Sequence, residues 1–207
     1  MPAEHVNRES VERRMERLQD EYGEIPIESA EDEIPADEFA EAREHARDGY
    51  TGGAYAWVVR DPDQTAELTE SMPDEVEDGR RVLMILGRGG TKWGLAGGGR
   101  EDGETYEAAA VREVREETSV ECELTDCFLL RRMRWESAGD HDELLHGLYV
   151  FFDADYAGGH IEIQPGELNG AAWFADPPAR MHPANEFRAD DFWDDYEAQD
   201  PLGGSRD

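Results

Sequence analysis

Apolar positions along the chain recur with two periods, and each period predicts a different kind of element. Val11, Met15, Leu18 and Tyr22 follow i, i+4, i+7, i+11 spacing, which predicts an amphipathic helix behind a Ser10 cap. The stretch GEIPIESAEDEIP that follows reads as a Pro-punctuated acidic connector. A second helix is expected from Pro35, with Phe39, Ala42 and Ala46 turned inward and Gly49 as its stop. The segment Ala54 to Arg60 alternates and is rich in Tyr, Trp and Val, so it predicts a strand. Residues 61–79 read as a long acidic hairpin loop, and Arg81 to Leu86 as a strand buried on both faces. After the pliable loop GRGGTKWGLAGGG, a long helix is expected from Thr105 to Thr118. Its Ala110, Val111 and Val114 should face a core, with carboxylates along the other side.

Beyond that helix, Cys127 to Met133 and Gly147 to Phe152 read as strands separated by the polar loop ESAGDHDELLH. Short strands are expected at His160–Ile163 and Ala171–Phe174. A last helix carries Ala189, Phe192, Trp193 and Tyr196 and gives way to a polar tail. Strands dominate, with helices before, among and after them, which points to an α/β sandwich with a mixed β-sheet. The expected organisation is a helical extension over residues 1–50, a main domain over 51–176, and a C-terminal helix with tail over 177–207. The extension would either pack on the main domain or serve as a lid or dimer arm, which makes a homodimer through the N-terminal helices an option.

Charge changes the picture of the surface. The chain has 51 acidic against 20 basic residues and a net charge of -31, with Lys92 as its sole lysine. The acid is interleaved with apolar residues from end to end, so a solvated tail does not account for it. This pattern suits a salt-adapted, halophilic protein, because at molar salt the Debye length is only ~3 Å and self-repulsion is screened. It argues against a nucleic-acid-binding surface, which needs Lys and Arg to neutralise phosphates. No apolar run approaches the ~20 residues of a membrane span, and the N-terminus MPAEHVNRES lacks a signal-peptide apolar region. Cys122 and Cys127 form no metal framework and are expected to be reduced near the core, which fits a cytoplasmic protein.

Candidate chemistry concentrates in GGREDGETYEAAAVREVREETSV, Gly98 to Val120. Glu113, Glu116 and Glu117 stand at i, i+3, i+4 and should project from one helix face. Like charges so placed repel, and a divalent cation is the natural compensation, since carboxylate oxygens suit hard ions such as Mg²⁺. As a spacing, the stretch reads Gly98, five residues, Glu104, seven residues, Arg112-Glu113-Val114, one residue, Glu116-Glu117, Thr118, Ser119, Val120. It closely resembles the Nudix box, G-x5-E-x7-R-E-U-x-E-E-x-G-U. Six of seven fixed positions and both aliphatic ones match; Ser119 stands where the family has glycine. The lead-in KWGLAGGG is similar to the family's W-x-x-P-G-G, with Ala96 in place of proline. The likeness extends over about residues 52–176.

The resemblance implies a Nudix-type α/β/α sandwich with a loop–helix–loop catalytic motif. It also implies Mg²⁺- or Mn²⁺-dependent hydrolysis of a nucleoside diphosphate linked to a further moiety. By position, Glu116 and Glu117 would be principal metal ligands, and Glu113 a further ligand or the base that orients water. The carbonyl of the Gly97–Gly98 turn would add a ligand. Arg112 would fix a carboxylate rotamer, and Glu104 would anchor the loop. Ser119 would take over a left-handed helix end, where serine costs about 1 kcal/mol more than glycine.

Phosphate recognition in so acidic a chain would draw on Arg88 and Lys92 before the box and on Arg131, Arg132 and Arg134 after it. On a strand, Arg132 and Arg134 share one face and Arg131 the other, so the first two could meet a substrate unless all three pair with acids. Trp93 could stack on a base, Trp57 reads as core, and Glu167 is the candidate acidic ligand or base outside the box. Trp135 to Ala138 has neither the proline of the family's ADP-ribose hydrolases nor the tyrosine of its dinucleoside polyphosphate hydrolases, and the SQPWPFPxS signature of its NADH hydrolases is missing. The nucleotide-type substrate is therefore expected only as a class. Alternatives are a Nudix-fold regulator that binds nucleotide without cleaving it, and a related isoprenoid diphosphate isomerase, which would need a catalytic cysteine.

Overall fold

The structure, a computed structural model, describes residues 3–64, 79–101, 103–164, 166–193 and 196. Most of the expected acidic hairpin loop and the polar tail lie outside the described residues. In chain order the elements are β1 (Glu4–His5), α1 (Arg8–Tyr22), β2 (Ile27–Ile34), α2 (Ala36–Arg47), β3 (Gly53–Arg60), β4 (Arg81–Gly87), β5 (Ala96–Gly99) and α3 (Tyr106–Thr118). They continue with β6 (Val120–Ser137), β7 (Asp140–Gly159), β8 (Leu168–Phe174), a 3-10 turn at Pro183–Asn185, and α4 (Glu186–Phe192). The strands form a mixed sheet accompanied by helices, an α/β architecture. Tertiary contacts divide the chain into two compact units. One comprises Met1–Tyr55, Gly97–Ala110 and Leu124–Asp153; the other comprises Ala56–Ala96, Val111–Glu123 and Ala154–Asp207.

In the first unit, α1 buries Val11, Met15 and Leu18, the stripe expected from their spacing. Its cap is Asn7 and not Ser10. The helix starts earlier because the Asn7 side chain is committed elsewhere: its Nδ2 donates to the His146 carbonyl at 2.7 Å, and its Oδ1 accepts from the His146 amide at 2.8 Å. Helix α2 follows Pro35 and buries Phe39, while Ala42 and Ala46 are half-buried. The apolar stripe of α1 is thus used within the chain.

The acidic connector is a strand. Residues of β2 pair in parallel with β6, from Ile27 opposite Leu130 to Ile34 opposite Ser137. Composition hid this because the pairing is carried by backbone and by cross-strand charge: Glu28 stands opposite Arg131 and Glu31 opposite Arg134, and both pairs form ion pairs. The expected loop ESAGDHDELLH is likewise mostly strand. β6 and β7 run to Ser137 and from Asp140, leaving a two-residue turn whose Gly139 has φ +81°. β1 adds a short parallel pairing to β7 at Glu143 and Leu144.

His146 on β7 is only 4% exposed, and its Nε2 lies 2.8 Å from His5 Nδ1. Burial, reinforced by Arg132 and His5, pushes its pKa down to about 4. An unfolded histidine titrates near 6.5, so the unfolded chain binds the extra proton between those values and stability must fall as pH drops from about 6.5 towards 4. We expect this group to remove on the order of 2 kcal/mol across that window. Urea melts of the parent and of His146→Gln should therefore differ in pH slope there; parallel slopes would refute the attribution.

In the second unit, β4 pairs antiparallel with β3 and with β8. Val82 to Ile85 are buried, as the continuous apolar run predicts. Trp57 is 1% exposed, with Phe192 and Trp193 each at 5.5 Å edge-on, which settles it as core. The C-terminal helix is shorter than its apolar spacing suggested: α4 ends at Phe192, and Trp193 caps it.

The strand expected at His160–Ile163 does not form. The segment is instead a strap across the end of α3, where the Glu162 amide donates to Thr118 O at 2.9 Å and the Gln164 amide to Glu117 O at 3.2 Å. Those amides satisfy carbonyls that every helix leaves orphaned at its C-terminus. Ser119, next in the chain, has φ +60° and is the sole non-glycine residue with positive φ among those described. This is the left-handed helix end at which the resemblance places glycine. Ser119→Gly should raise stability by about 0.5–1 kcal/mol, net of the weak bond its Oγ makes to Glu162 O. A thermal melt reads this, and a lowered midpoint would show the hydroxyl to be the larger effect.

Candidate active site

Helix α3 presents its charges differently from the simplest expectation. Tyr106, Ala109, Ala110 and Val114 are buried, whereas Val111, expected inward, is 36% exposed. At 100° per residue, the buried stripe that runs through Tyr106, Ala110 and Val114 also passes through Glu113 and Glu117. Glu117 is accordingly buried at 9% exposure and Glu113 is half-buried, while Glu116 faces outward. The carboxylates do not all line the side opposite the core. Two of them lie on it.

A buried carboxylate is costly unless bonded or neutralised. Arg112 supplies part of the neutralisation. Its Nη1 donates to Glu113 Oε1 at 2.9 Å and to Glu116 Oε2 at 3.0 Å, holding the two side chains together across one turn. Burial pushes the Glu113 carboxyl above the ordinary carboxylate range; Arg112 opposes that, and Glu116 and Glu167 add to it. Glu167 is therefore electrostatically part of this group. Its backbone is fixed by Arg88, whose amide donates to Glu167 O at 2.8 Å and whose Nη1 donates to Gly166 O at 3.0 Å. Arg88, Arg112, Glu113, Glu116, Glu117 and Glu167 all belong to the second unit.

Lys92 is exposed, and Trp93 is half-buried edge-on to Phe174 with centroids 4.9 Å apart. The Trp93 backbone is held on both sides, its amide donating to Arg180 O at 2.8 Å and its carbonyl accepting from the His182 amide at 2.7 Å.

The glycine-rich lead-in lies in the first unit at Gly97 and beyond. At Gly97 a Cβ would stand 2.3 Å from the Ala54 carbonyl oxygen, so only glycine lets β5 approach β3 this closely. Glu104 closes the loop that follows: its Oε2 accepts from the Glu101 amide at 3.1 Å, and its carbonyl accepts from Arg100 Nη1 at 3.0 Å. Thr105 then caps α3 through a 3.1 Å bond from the Ala108 amide to its Oγ1.

Arg132 and Arg134 share a strand face as expected, yet both are ion-paired, Arg132 to Glu12 at 3.2 Å and Arg134 to Glu31. They line a cleft of about 270 Å³ with His5, Arg8 and His146, and no box carboxylate is among its lining residues. Arg131 faces the other way, bonded to Glu28 and stacked over Phe151 at 5.1 Å. Cys122 and Cys127 are buried free thiols, pushed by burial up to about 11 and about 12, which does not suit a catalytic cysteine.

Among the described residues, no three His, Cys, Asp or Glu side chains converge as a ready metal cluster. The donor chemistry of α3 nevertheless fits a hard divalent ion. Its carboxylate oxygens lie on adjacent turns, one of them buried, with a single arginine between two others.

A family model described as "NUDIX domain" matches residues 73–192. Among curated proteins, the chain is 36% identical over 101 residues to "NAD-capped RNA hydrolase NudC" of Pseudomonas putida (strain W619), covering 49% of this chain and 32% of that protein. It is 39% identical over 74 residues to the protein of the same description from Deinococcus radiodurans, covering 36% and 23%. The chain thus spans about a third or less of the length of these relatives. Among solved structures, a MutT NUDIX hydrolase from Burkholderia pseudomallei superposes with TM-score 0.44 at 24% identity, over 66% of this chain and 93% of that one. A structure titled UDP-X diphosphatase gives TM-score 0.41 at 18% identity, over 69% and 60%. Since the family model spans more than half of its residues, this chain belongs to the NUDIX domain family.

Proposed function

We propose that this protein is a hydrolase that cleaves the diphosphate linkage of a nucleotide derivative, with Mg²⁺ or Mn²⁺ held by the α3 carboxylates. The observation that carries this reading is Glu117, a carboxylate set into the buried stripe of α3 at 9% exposure. An ionisable side chain buried on an otherwise apolar stripe is a candidate for a site that uses its charge. Glu116 and Glu117 would hold the cation, with Glu113 as a further ligand or as the base that orients the water. When bound, the ion neutralises diphosphate oxygens and makes water a better nucleophile.

The protein's own residues do the positioning. Arg112 keeps Glu113 and Glu116 in fixed rotamers, so their oxygens are not lost to solvent. The Glu162–Gln164 strap pins the carbonyl end of α3 and with it the Glu117 backbone. Glu113, whose pKa burial already raises, is suited to accept a proton from the attacking water, and Glu167 lies close enough to influence it. Arg88, held against Gly166, would meet a phosphate oxygen, and Trp93, beside Phe174, would pack on a base.

The curated relatives are described as acting on NAD-capped RNA, so NAD-type dinucleotides belong at the head of the substrate panel. A net charge of -31 favours the small molecule over the polymer, because RNA adds a phosphate repulsion at every nucleotide. The test is a hydrolysis screen of dinucleotides, sugar nucleotides, nucleoside triphosphates and capped RNA with Mg²⁺ or Mn²⁺ at high salt. We expect metal-dependent release of a mononucleotide from a small diphosphate. An absence of turnover across the panel would refute the hydrolase reading.

A further inference from the structure

The sequence pairs a strongly acidic chain with one basic helix face. Arg13, Arg14 and Arg17 lie on α1 at i, i+1 and i+4, so Arg17 neighbours both others on the helix surface, where like charges repel. The structure brings a fourth arginine to them. Arg13, Arg14, Arg17 and Arg100 line one cleft of about 350 Å³ together with Thr105 and Tyr106, at the start of α3. Four of the chain's 20 basic residues thus face a single space in a molecule with 51 acidic ones.

Their partners are uneven. Arg17 is neutralised by Glu107 through bonds of 2.9 and 2.8 Å. Arg100, only 4% exposed, spends its Nη atoms on the carbonyls of Gly49, Glu101 and Glu104, yet its buried Nε has no hydrogen-bond partner. Arg14 also has a buried Nε without a partner. Among the described residues, neither Arg13 nor Arg14 pairs with an acid. The acids at the cleft are Glu104, occupied by the Glu101 amide, and Glu107, occupied by Arg17. Hydroxyl donors are available at Ser10 and at Thr105, whose Oγ1 accepts from Ala108 and is free to donate. The α3 N-terminus adds the positive end of a helix dipole.

We propose that this cleft binds a phosphate-type oxyanion. A tetrahedral oxyanion offers the acceptors that the guanidinium forks of Arg13 and Arg14 and two hydroxyls lack, and it removes the repulsion among the four cations. The site uses no box carboxylate other than the already bonded Glu104, so it stands whether or not the α3 carboxylates hold a metal. Its occupant is either a phosphate of the substrate or the phosphate group of a released product.

The test titrates inorganic phosphate and pyrophosphate into the full-length, metal-free protein by calorimetry, with the parent beside Arg13→Gln and Arg14→Gln. We expect saturable binding by the parent, weakened at least tenfold in each variant. Arg13 is exposed, so its variant decides the matter if Arg14→Gln does not fold. Parental affinity in Arg13→Gln, or no saturation by the parent, overturns the proposal. With a turned-over substrate, a raised KM at unchanged kcat assigns the anion to the substrate. An unchanged KM with weakened phosphate inhibition assigns it to the product. Phosphate binding by a protein that hydrolyses nothing would leave this site standing and refute the hydrolase reading alone.

Discussion

Glu117→Gln should lower kcat/KM for the cleaved diphosphate by at least about a hundredfold while leaving the metal-free fold as stable as the parent. The two halves of this expectation come from one fact, the position of Glu117 on the buried stripe of α3. Glutamine keeps the shape and hydrogen-bonding reach of the side chain and removes the charge, so packing around Val114 and Ala110 is undisturbed. With the packing kept, the metal-free variant should melt close to the parent. The separation appears when metal is added. An ion that binds only the folded parent at a hundred times its Kd adds about 2.7 kcal/mol, or roughly 5–10 °C in Tm for a chain of this size. Most of that increment should vanish in the variant. Parental turnover by Glu117→Gln would sink the site assignment, and a lowered metal-free Tm would mean that the carboxylate is structural.

Gly97→Ala should produce a large stability loss for a single methyl addition, about 3 kcal/mol. The added Cβ would meet the Ala54 carbonyl oxygen at 2.3 Å and Tyr55 Cα at 2.7 Å. Both are backbone atoms of β3, and Ala54 is fully buried, so no side-chain rotation relieves the clash. Urea unfolding should show a lowered midpoint at unchanged m, the sign of a stability change without a change in exposed surface. A variant within 0.5 kcal/mol of the parent would show that the two strands separate more easily than their packing suggests.

Much of this molecule was legible where side-chain chemistry and backbone role coincide. The apolar stripe of α1 was found by its period and the buried strand β4 by its unbroken apolar run. At Ser119 the box pattern marked a left-handed position that the structure then showed in a non-glycine residue. The failures share a cause. β2 was hidden because its stabilising partners, Arg131 and Arg134, are a hundred residues away in sequence, and an acidic run has no strand signature without them. The strap at 162–164 serves carbonyls of another element, which leaves no mark in its own sequence. Val111 and Glu117 were misplaced because an aliphatic residue was assumed inward and a carboxylate outward; at a site that uses charge, that assumption reverses. The arginines of α1 were visible as residues, but their meeting with Arg100 depends on tertiary contact.

The pairing of β2 with β6 also constrains the order in which the molecule can be made. Residues 27–34 are synthesised early, but the strand that receives them ends at Ser137. At about 5–20 residues per second on the ribosome, the early strand waits on the order of ten seconds for its partner. During that wait its four acidic side chains, from Glu28 to Glu33, with Glu24 just before the strand, keep it from pairing with a strand of a neighbouring nascent chain. The acid that conceals this strand in the sequence is then also what protects it until residue 137 emerges.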